Sequence, residues 1–399
     1  FKYFDFAFNT LRHCLSLVHI QIKPPGFQIL LPVGISFYTF QALSYTMDVY
    51  RQEMKAEKNF LRYALFVSFF PQLVAGPIER SKNLLGQFYE VHRFEYQRVK
   101  SGLLLMLWGF FMKLVIADRI AILVDQVYNN WVQYDGLAIA VATIFFAIQI
   151  YCDFGSYSNI AVGAAQVIGF QLMENFRQPY FAISAADFWR RWHISLTSWF
   201  RDYLYIPLGG NRRGRLRKYF NVMIVFLTSG LWHGASWHYV IWGGLNGLYQ
   251  VIGDSTKLLR KKVTDFFKIN RECFSYRMMQ RMITFVLVDF AWLFFRADGF
   301  ITGIQMLKRI VGRFKLNTIF DGSLFNLGLN KKNFTVMLLS IGVLWLVDWY
   351  RTKGSVRCWL NQQNLVFRWG CYYTAIFAII IFGIYGLGYD AAAFIYFQF

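Results

Sequence analysis

Two histidines, His233 and His193, are the residues best suited to acid–base chemistry, because both stand among apolar and aromatic neighbours. Residues 219–253 contain no Asp, Glu, Lys or Arg, so His233 and His238 are the only groups there that titrate near neutral pH. Burial disfavours the imidazolium form, and a neutral imidazole can accept a proton as a general base. A structural histidine bonded to a backbone carbonyl, or paired with Trp232 or Trp237, is the alternative. The five-residue spacing of the two histidines, with no carboxylate nearby, does not favour a metal site.

His233 is expected near the turn of a membrane hairpin. The uncharged stretch lies between the basic segment 211–218 and a second basic group that contains Lys257 and Arg260. Basic flanks favour the cytoplasmic side, so the chain must enter the membrane and return. Ser229-Gly230 and residues 234–236 offer places for the reversal. His233 then lies roughly 20 Å along a helix axis from the basic edge, within the hydrocarbon region.

Residues 184–205 predict an amphipathic helix at the membrane interface. Ser184 and Asp187 have the spacing of a helix start, and Pro207 follows the end. At 100° per residue, one side carries an apolar stripe of Phe188, Trp192, Leu196, Trp199 and Tyr203. The opposite side carries Arg190, His193, Thr197 and Arg201. Two interpretations remain: a peripheral anchor whose arginines meet lipid phosphate, or a helix that directs His193 into a buried cavity.

The composition is that of a polytopic membrane protein. Of 399 residues, 56% are hydrophobic and 20% aromatic, and only 16% are charged, against roughly 25% in soluble domains. Disordered, collagenous, coiled-coil and disulfide-rich secreted classes are excluded. The net charge of +20 fits positive-inside loops and anionic lipid better than nucleic acid, so no nucleic-acid partner is expected. The five scattered cysteines have no zinc-like spacing, and we interpret them as reduced packing residues.

We therefore predict an all-α fold: a polytopic bundle of about 8–11 membrane helices around a central cavity, with some helices short, tilted or re-entrant. Sustained apolar stretches run along the chain, including 29–46, 136–152 and 369–389. Residues 1–399 are interpreted as one domain, with a catalytic core region at 151–250. Because the chain opens on Phe1 within an apolar segment, we expect one or two N-terminal helices to be missing.

Several segments of the chain resemble a known family of membrane enzymes. They are FWRRWHISLTSWFRDYLYIPLGGNRRG (188–214), SGLWHGASWHYVIWG (229–243), SFYTFQALSYTMDVYR (36–51), FFPQLVAGPIER (69–80) and YCDFGSYSNIAVGAAQVIGFQLMENFRQPY (151–180). In this order the segments are similar to the membrane-bound O-acyltransferase family, and most of all to its bacterial alginate O-acetyltransferase (AlgI-like) branch. The resemblance covers about positions 36–250. The C-terminal third is similar only in its apolar helices.

The resemblance implies a function. The family's catalytic histidine corresponds to His233, and a second polar family position corresponds to His193. Family members move an acyl group, usually acetyl in this branch, from a cytoplasmic thioester such as acetyl-CoA to a hydroxyl. The acceptor is commonly a secreted polysaccharide or peptidoglycan, and a periplasmic or extracellular acetyltransferase often completes the transfer. A multi-pass protein of the bacterial cytoplasmic membrane is implied, in contact with lipid and with no bound cofactor or metal. Asn246 departs from the pattern, because a second histidine is common there.

The remaining candidate residues are polar or basic groups near these histidines. We predict that substrate contacts involve Arg190, Arg201, Asn211, Arg212, Arg213 and Asn246. The basic cluster at 212–218 can meet donor phosphates or an acidic carrier, or it can simply anchor topology. His233 would take the hydroxyl proton while His193, or backbone amides nearby, stabilises the oxyanion. The alternative functions are a transporter or channel, or a catalytically silent subunit that passes acyl groups to an extracytoplasmic acetyltransferase.

Overall fold

The computed structural model describes residues 3–20, 34–385 and 394, and the regular elements within these ranges are helical. The first half contains α1 (Phe4–Ser16), α2 (Ile35–Tyr50), α3 (Phe60–Ser68), α4 (Ser81–Leu84), α5 (Tyr96–Phe110), α6 (Asp118–Asn129), α7 (Gly136–Ile168), α8 (Ala185–Arg191) and α9 (Ile194–Phe200). The second half contains α10 (Gly214–His233), α11 (Trp237–Ser255), α12 (Lys257–Phe266), α13 (Phe274–Arg296), α14 (Phe300–Gly312), α15 (Lys331–Arg351), α16 (Val356–Asn361) and α17 (Leu365–Phe382). The predicted all-α fold is confirmed.

Helix α7 forms the centre of the bundle. Its 33 residues extend about 50 Å at 1.5 Å per residue. The Asp135 side chain caps its first turn, and Gly169 ends it in the left-handed conformation. Helices α5, α6, α13 and α14 pack around it. An apolar helix surrounded in this way is expected to be buried. In α7, 78% of the most apolar 18-residue window is buried.

Four of the described helices are long and apolar enough to cross a membrane: α7, α13, α15 and α17. The sequence led us to expect 8–11. Helices α10 and α11 fall outside the four although they have 20 and 19 residues, because their basic, Gly, His and Asn residues lower the mean hydropathy. The stretch 29–46 begins, and the stretch 369–389 ends, outside the described residues, and so does Phe1.

The predicted hairpin is present as α10 and α11, and the chain reverses at residues 234–236. Ser229-Gly230, the other expected reversal, instead continues α10. The two helices approach so closely that a Cβ on Gly230 would lie 2.2 Å from the Tyr239 carbonyl oxygen. A Cβ on Gly243 would lie 2.2 Å from that of Phe226. Glycine at both positions therefore permits the backbone contact that closes the hairpin.

The prediction of a single amphipathic helix over residues 184–205 is wrong. Helix α8 ends at Arg191, α9 starts at Ile194, and a π-helical segment follows over Arg201–Tyr205. His193 separates α8 and α9 with φ of +44°, a left-handed conformation that interrupts an α-helix. The residues of the apolar stripe are buried within the protein. The opposite side is divided, because the Arg190 and Arg201 side chains are exposed whereas His193 is buried.

Candidate functional site

His233 is the last residue of α10, and three aromatic rings surround it. Its ring centroid lies 4.9 Å from Trp232, 5.1 Å from Trp242 and 5.5 Å from Phe295, each in an edge-to-face arrangement. We call these three rings the aromatic enclosure. Because α10, α11 and α13 each supply one ring, closing the hairpin against α13 forms the enclosure. His233 keeps 6% of its surface exposed.

His193 is completely buried, and Asn175 holds it. Asn175 Oδ1 lies 3.1 Å from His193 Nδ1, and it also accepts hydrogen bonds from the Ser195 backbone N–H at 3.2 Å and hydroxyl at 2.9 Å. A backbone N–H can only donate, so the atom it meets must be the amide oxygen of Asn175. His193 Nδ1 therefore donates to this oxygen. In the neutral ring, Nε2 is then the basic nitrogen.

The two histidines are neighbours of the same indole ring. Trp232 is 4.9 Å from His233 and 6.2 Å from His193, centroid to centroid. Phe154, from the middle of α7, lies edge-to-face on His193 at 4.6 Å. Hydrogen bonds from Ile194 N to Asn175 O and from Arg177 N to Arg191 O hold the segment before α8 against the break at His193. The result is a pair of imidazoles in a largely apolar, aromatic interior.

The sequence did not identify Asn175, although it lies within the quoted segment 151–180. Its partners are 18 and 20 residues away, so spacing alone gave no signal. Sequence inspection also missed Lys113. Its ammonium group pairs with Asp118 at 2.8 Å and with Asp153 at 2.6 Å. Asp153 lies on α7, one turn before Tyr157. Lys113 belongs to a π-helical segment, Phe111–Ala117, a type of distortion that often accompanies a functional or strained position.

Asn246 is buried beside the aromatic enclosure, and both ends of its amide are engaged. Its oxygen accepts from Trp189 Nε1 at 3.2 Å, and its nitrogen donates to the Trp242 carbonyl at 2.8 Å. The side chain therefore ties α11 to α8 and fixes the helix that carries Trp242. Its proposed role in binding substrate stays a prediction.

The other candidate residues lie outside this interior. Arg201 is exposed and pairs with Asp202 at 2.8 Å, and Arg190 is exposed at 4.0 Å from Asp187. Asn211, Arg212 and Arg213 are exposed in the loop before α10, at the end of the hairpin opposite His233. That separation is roughly 28 Å along α10. The structure therefore does not bring these residues together with the histidines.

Two further features of the described structure concern metal-ion ligands and cavities. Among residues 3–20, 34–385 and 394, no group of three His, Cys, Asp or Glu residues is arranged to hold a metal ion. Two cavities in the described structure have volumes of about 1060 and 390 Å³, and neither of these two is lined by His193 or His233. A central cavity around the two histidines stays a prediction.

Comparison with known proteins identifies the family. The sequence model of the membrane-bound O-acyltransferase family matches residues 56–288, which include both histidines. The "Probable alginate O-acetylase AlgI" of Pseudomonas syringae pv. tomato is 35% identical over 360 residues, covering 88% of this chain and 65% of the relative. The protein of the same name from Pseudomonas aeruginosa is 39% identical over 302 residues, 75% of this chain and 55% of the relative.

A relative with a different acceptor in its name is similar to the same degree. The "Peptidoglycan O-acetyltransferase" of Helicobacter pylori is 35% identical over 338 residues, 78% of this chain and 62% of the relative. The chain thus spans between about half and two thirds of the length of these three relatives. The family match extends over more than half of the chain. It includes the sequences RWHIS (191–195) and LWHG (231–234), which contain the two histidines. The chain belongs to the membrane-bound O-acyltransferase family.

Proposed function

We propose that this protein is an O-acetyltransferase of the bacterial cytoplasmic membrane. It moves an acetyl group from a cytoplasmic thioester, acetyl-CoA or a related donor, to a hydroxyl group. The acetyl group is destined for a secreted or cell-envelope polysaccharide, either an alginate-like exopolysaccharide or peptidoglycan. The names of the relatives favour these two acceptors.

The observation that carries the proposal is the placement of His233. It stands at the turn of the hairpin, in the uncharged stretch 219–253 and within the segment matched by the family, and aromatic rings surround it. Such surroundings favour the neutral imidazole, which a general base must be. His193 adds a second imidazole, which Asn175 orients, with its ring centroid 6.2 Å from that of Trp232.

The proposed step is direct transfer. A nitrogen of His233 removes the proton of the accepting hydroxyl while the oxygen attacks the thioester carbonyl. The tetrahedral intermediate then collapses, the C–S bond breaks, and the leaving thiolate takes the proton back from the imidazolium. His193 Nε2 is basic in the neutral tautomer, so His193 can stabilise the oxyanion only when that nitrogen is protonated; otherwise backbone amides supply the hydrogen bonds. With only 6% of His233 exposed, both substrates must pass or displace the aromatic enclosure.

The donor and the final acceptor lie on opposite sides of the membrane in this account. The basic residues before α10, including Arg212 and Arg213, are exposed. They would attract the phosphates of a donor arriving from the cytoplasm, roughly 28 Å along α10 from His233. A periplasmic or extracellular acetyltransferase would accept the acetyl group at the far side and pass it to the polymer.

The proposal is tested by reconstituting the full chain in lipid vesicles with acetyl-CoA that carries a labelled acetyl group. The expected result is loss of the thioester together with transfer of label to an added polysaccharide or to the partner acetyltransferase. Label that crosses the membrane still as acetyl-CoA would instead identify a transporter. A chain that leaves the thioester intact, but is required for acetylation by the partner, would identify a silent subunit.

A further inference from the structure

The smaller cavity, which we call the arginine pocket, is a dense cationic cluster outside the histidine site. Its volume is about 390 Å³, and its lining includes five arginines: Arg177, Arg190, Arg191, Arg281 and Arg351. These residues come from the segment before α8, from α8 itself, and from α13 and α15. Four separate parts of the chain therefore converge to place guanidinium groups around one space.

Local carboxylates neutralise only part of this charge. Asp187 pairs with Arg191 at 3.1 Å, and Glu174 pairs with Arg177 at 2.7 Å and with Arg351 at 3.0 Å. The carboxylate of Asp348 lies 3.8 Å from Arg351 and also accepts from the Tyr151 hydroxyl. Three carboxylates thus face five arginines, and the pocket keeps an excess of positive charge.

Arg281 is the clearest part of that excess. Its guanidinium lies 5.4 Å from the centre of the Phe181 ring. Within the described part of the chain it forms no ion pair, and its buried Nε has no hydrogen-bond partner. A buried guanidinium donor without an acceptor is unfavourable unless an anion supplies one. The pocket is therefore complementary to a phosphate-like group.

The larger cavity, which we call the apolar cleft, adjoins the arginine pocket. It has a volume of about 1060 Å³ and lies between α5, α15 and α17. Leucine, valine, alanine and aromatic side chains form most of its wall, and Arg177, Gln178 and Arg351 line both cavities. The cationic arginine pocket and the apolar cleft are therefore neighbours that share part of their lining.

The position in the membrane fits an amphiphile. Arg351 ends α15 and Arg281 lies in the second turn of α13, while α17 begins nearby at Leu365. The basic segment of α12 precedes α13 on the same side, so the positive-inside rule places this end of the helices in the cytoplasm. The cytoplasmic leaflet is the one that carries anionic lipid. No residue in α17 is buried within the described structure, and α17 is long and apolar enough to cross a membrane. We therefore expect this wall of the cleft to face lipid chains.

We propose that the arginine pocket and the apolar cleft together bind one anionic phospholipid, with its phosphate at the arginines and an acyl chain in the cleft. Charge complementarity selects the headgroup, and the apolar wall selects the chain. The exposed Arg190, which the sequence suggested as a substrate contact, belongs to this site. The site is separate from the proposed chemistry, because neither histidine lines it.

The test measures lipid bound to the purified full chain by native mass spectrometry, with dioleoyl-phosphatidylglycerol and dioleoyl-phosphatidylcholine as probes. The wild type is expected to prefer phosphatidylglycerol. Arg281→Gln should weaken its binding about tenfold, the size expected for one lost charge-assisted hydrogen bond. Arg277→Gln, one turn earlier on α13 and outside the pocket, should leave binding unchanged. Equal retention of the two lipids by the wild type would overturn the proposal.

A second pair of variants tests the cleft. Ala375→Trp should fill it and reduce phosphatidylglycerol binding, whereas Ile380→Trp, exposed on the same helix and outside the cleft, should not. Unchanged binding in Ala375→Trp would contradict the assignment of the chain to the cleft. Displacement of the lipid by coenzyme A, with a raised KM for the donor in Arg281→Gln, would assign the arginines to donor phosphates instead. A homodimer that dissociates in Ala375→Trp would assign the cleft to a second copy. Either result would overturn the proposal that a phospholipid occupies the two cavities.

Discussion

The histidine site and the arginine pocket accommodate polar groups in opposite ways. At the histidine site, two imidazoles that can be neutral lie among aromatic rings, and an amide oxygen orients one of them. At the arginine pocket, five permanent charges converge from one loop and three helices. Four of them pair with three carboxylates, and among the described residues Arg281 does not. The difference follows from the cost of burying charge: a histidine can be neutral in an apolar interior, whereas a buried guanidinium group needs an anionic or hydrogen-bonding partner.

The largest expected effect is at His233. Replacing it by glutamine keeps a polar side chain of similar size but removes the base. Acetyl transfer should fall by about 10²- to 10⁴-fold, the usual contribution of a general base. The measurement is transfer of labelled acetyl by vesicles that contain equal amounts of folded protein.

His238→Gln is the matched control, because His238 lies in the first turn of α11, directly after the hairpin reversal, and bonds to Ser236 at 2.8 Å. It should keep near wild-type transfer. Equal losses of acetyl transfer in the two variants would mean that the hairpin tolerates no substitution at either position. Full activity in His233→Gln would contradict the role of His233 as the general base.

The second effect concerns the orientation of His193. Asn175→Ala removes the acceptor shared by His193 and Ser195. The variant should lose about 1–3 kcal/mol of stability, because buried donors are left without their partner. Its kcat should fall at least tenfold while the KM for the donor changes little.

Asn221→Ala provides the comparison. Asn221 is also buried, and it donates to the Leu208 and Gly210 carbonyls at the far end of α10. A similar loss of melting temperature with retained kcat is expected. Parallel losses of kcat in both variants would show that Asn175 acts through stability alone.

The third effect separates the backbone of the hairpin from its chemistry. Gly230→Ala places a methyl group against the Tyr239 carbonyl. It should destabilise the protein by about 1–3 kcal/mol, as overpacking typically does. Gly253→Ala, in the last turns of α11, meets nothing within 4 Å and should be neutral or stabilise by about 0.5–1 kcal/mol. Thermal unfolding in detergent measures both, and an unaffected Gly230→Ala would contradict the close hairpin contact.

The smallest effect is at the basic loop. The double variant Arg212→Gln, Arg213→Gln should raise the KM for the thioester donor about three- to tenfold and leave kcat unchanged, since exposed charges act by attraction that salt screens. The pair Lys261→Gln, Lys262→Gln on α12 removes equal charge elsewhere. An equal rise in KM in both would mean that net charge, and not this loop, attracts the donor.

Sequence reasoning succeeded where the signal was local. The uncharged stretch, its basic flanks and the small residues at 234–236 predicted the hairpin around His233, because each is read from neighbours in the chain. It failed at His193, where periodicity predicted one helix and the structure has a left-handed break held by Asn175, 18 residues earlier. The arginine pocket was missed for the same reason: Arg177, Arg281 and Arg351 meet only after the helices pack.

The central claim is that acyl transfer takes place at His233, inside the aromatic enclosure. The most direct measurement is an experimental structure of the full chain with a non-hydrolysable acetyl thioester analogue and an acceptor sugar. The accepting hydroxyl is expected to lie within hydrogen-bond reach of the His233 ring, about 3 Å, with the thioester carbonyl beside it. A donor whose acetyl group rests in the arginine pocket or the apolar cleft, with the enclosure still closed, would contradict it.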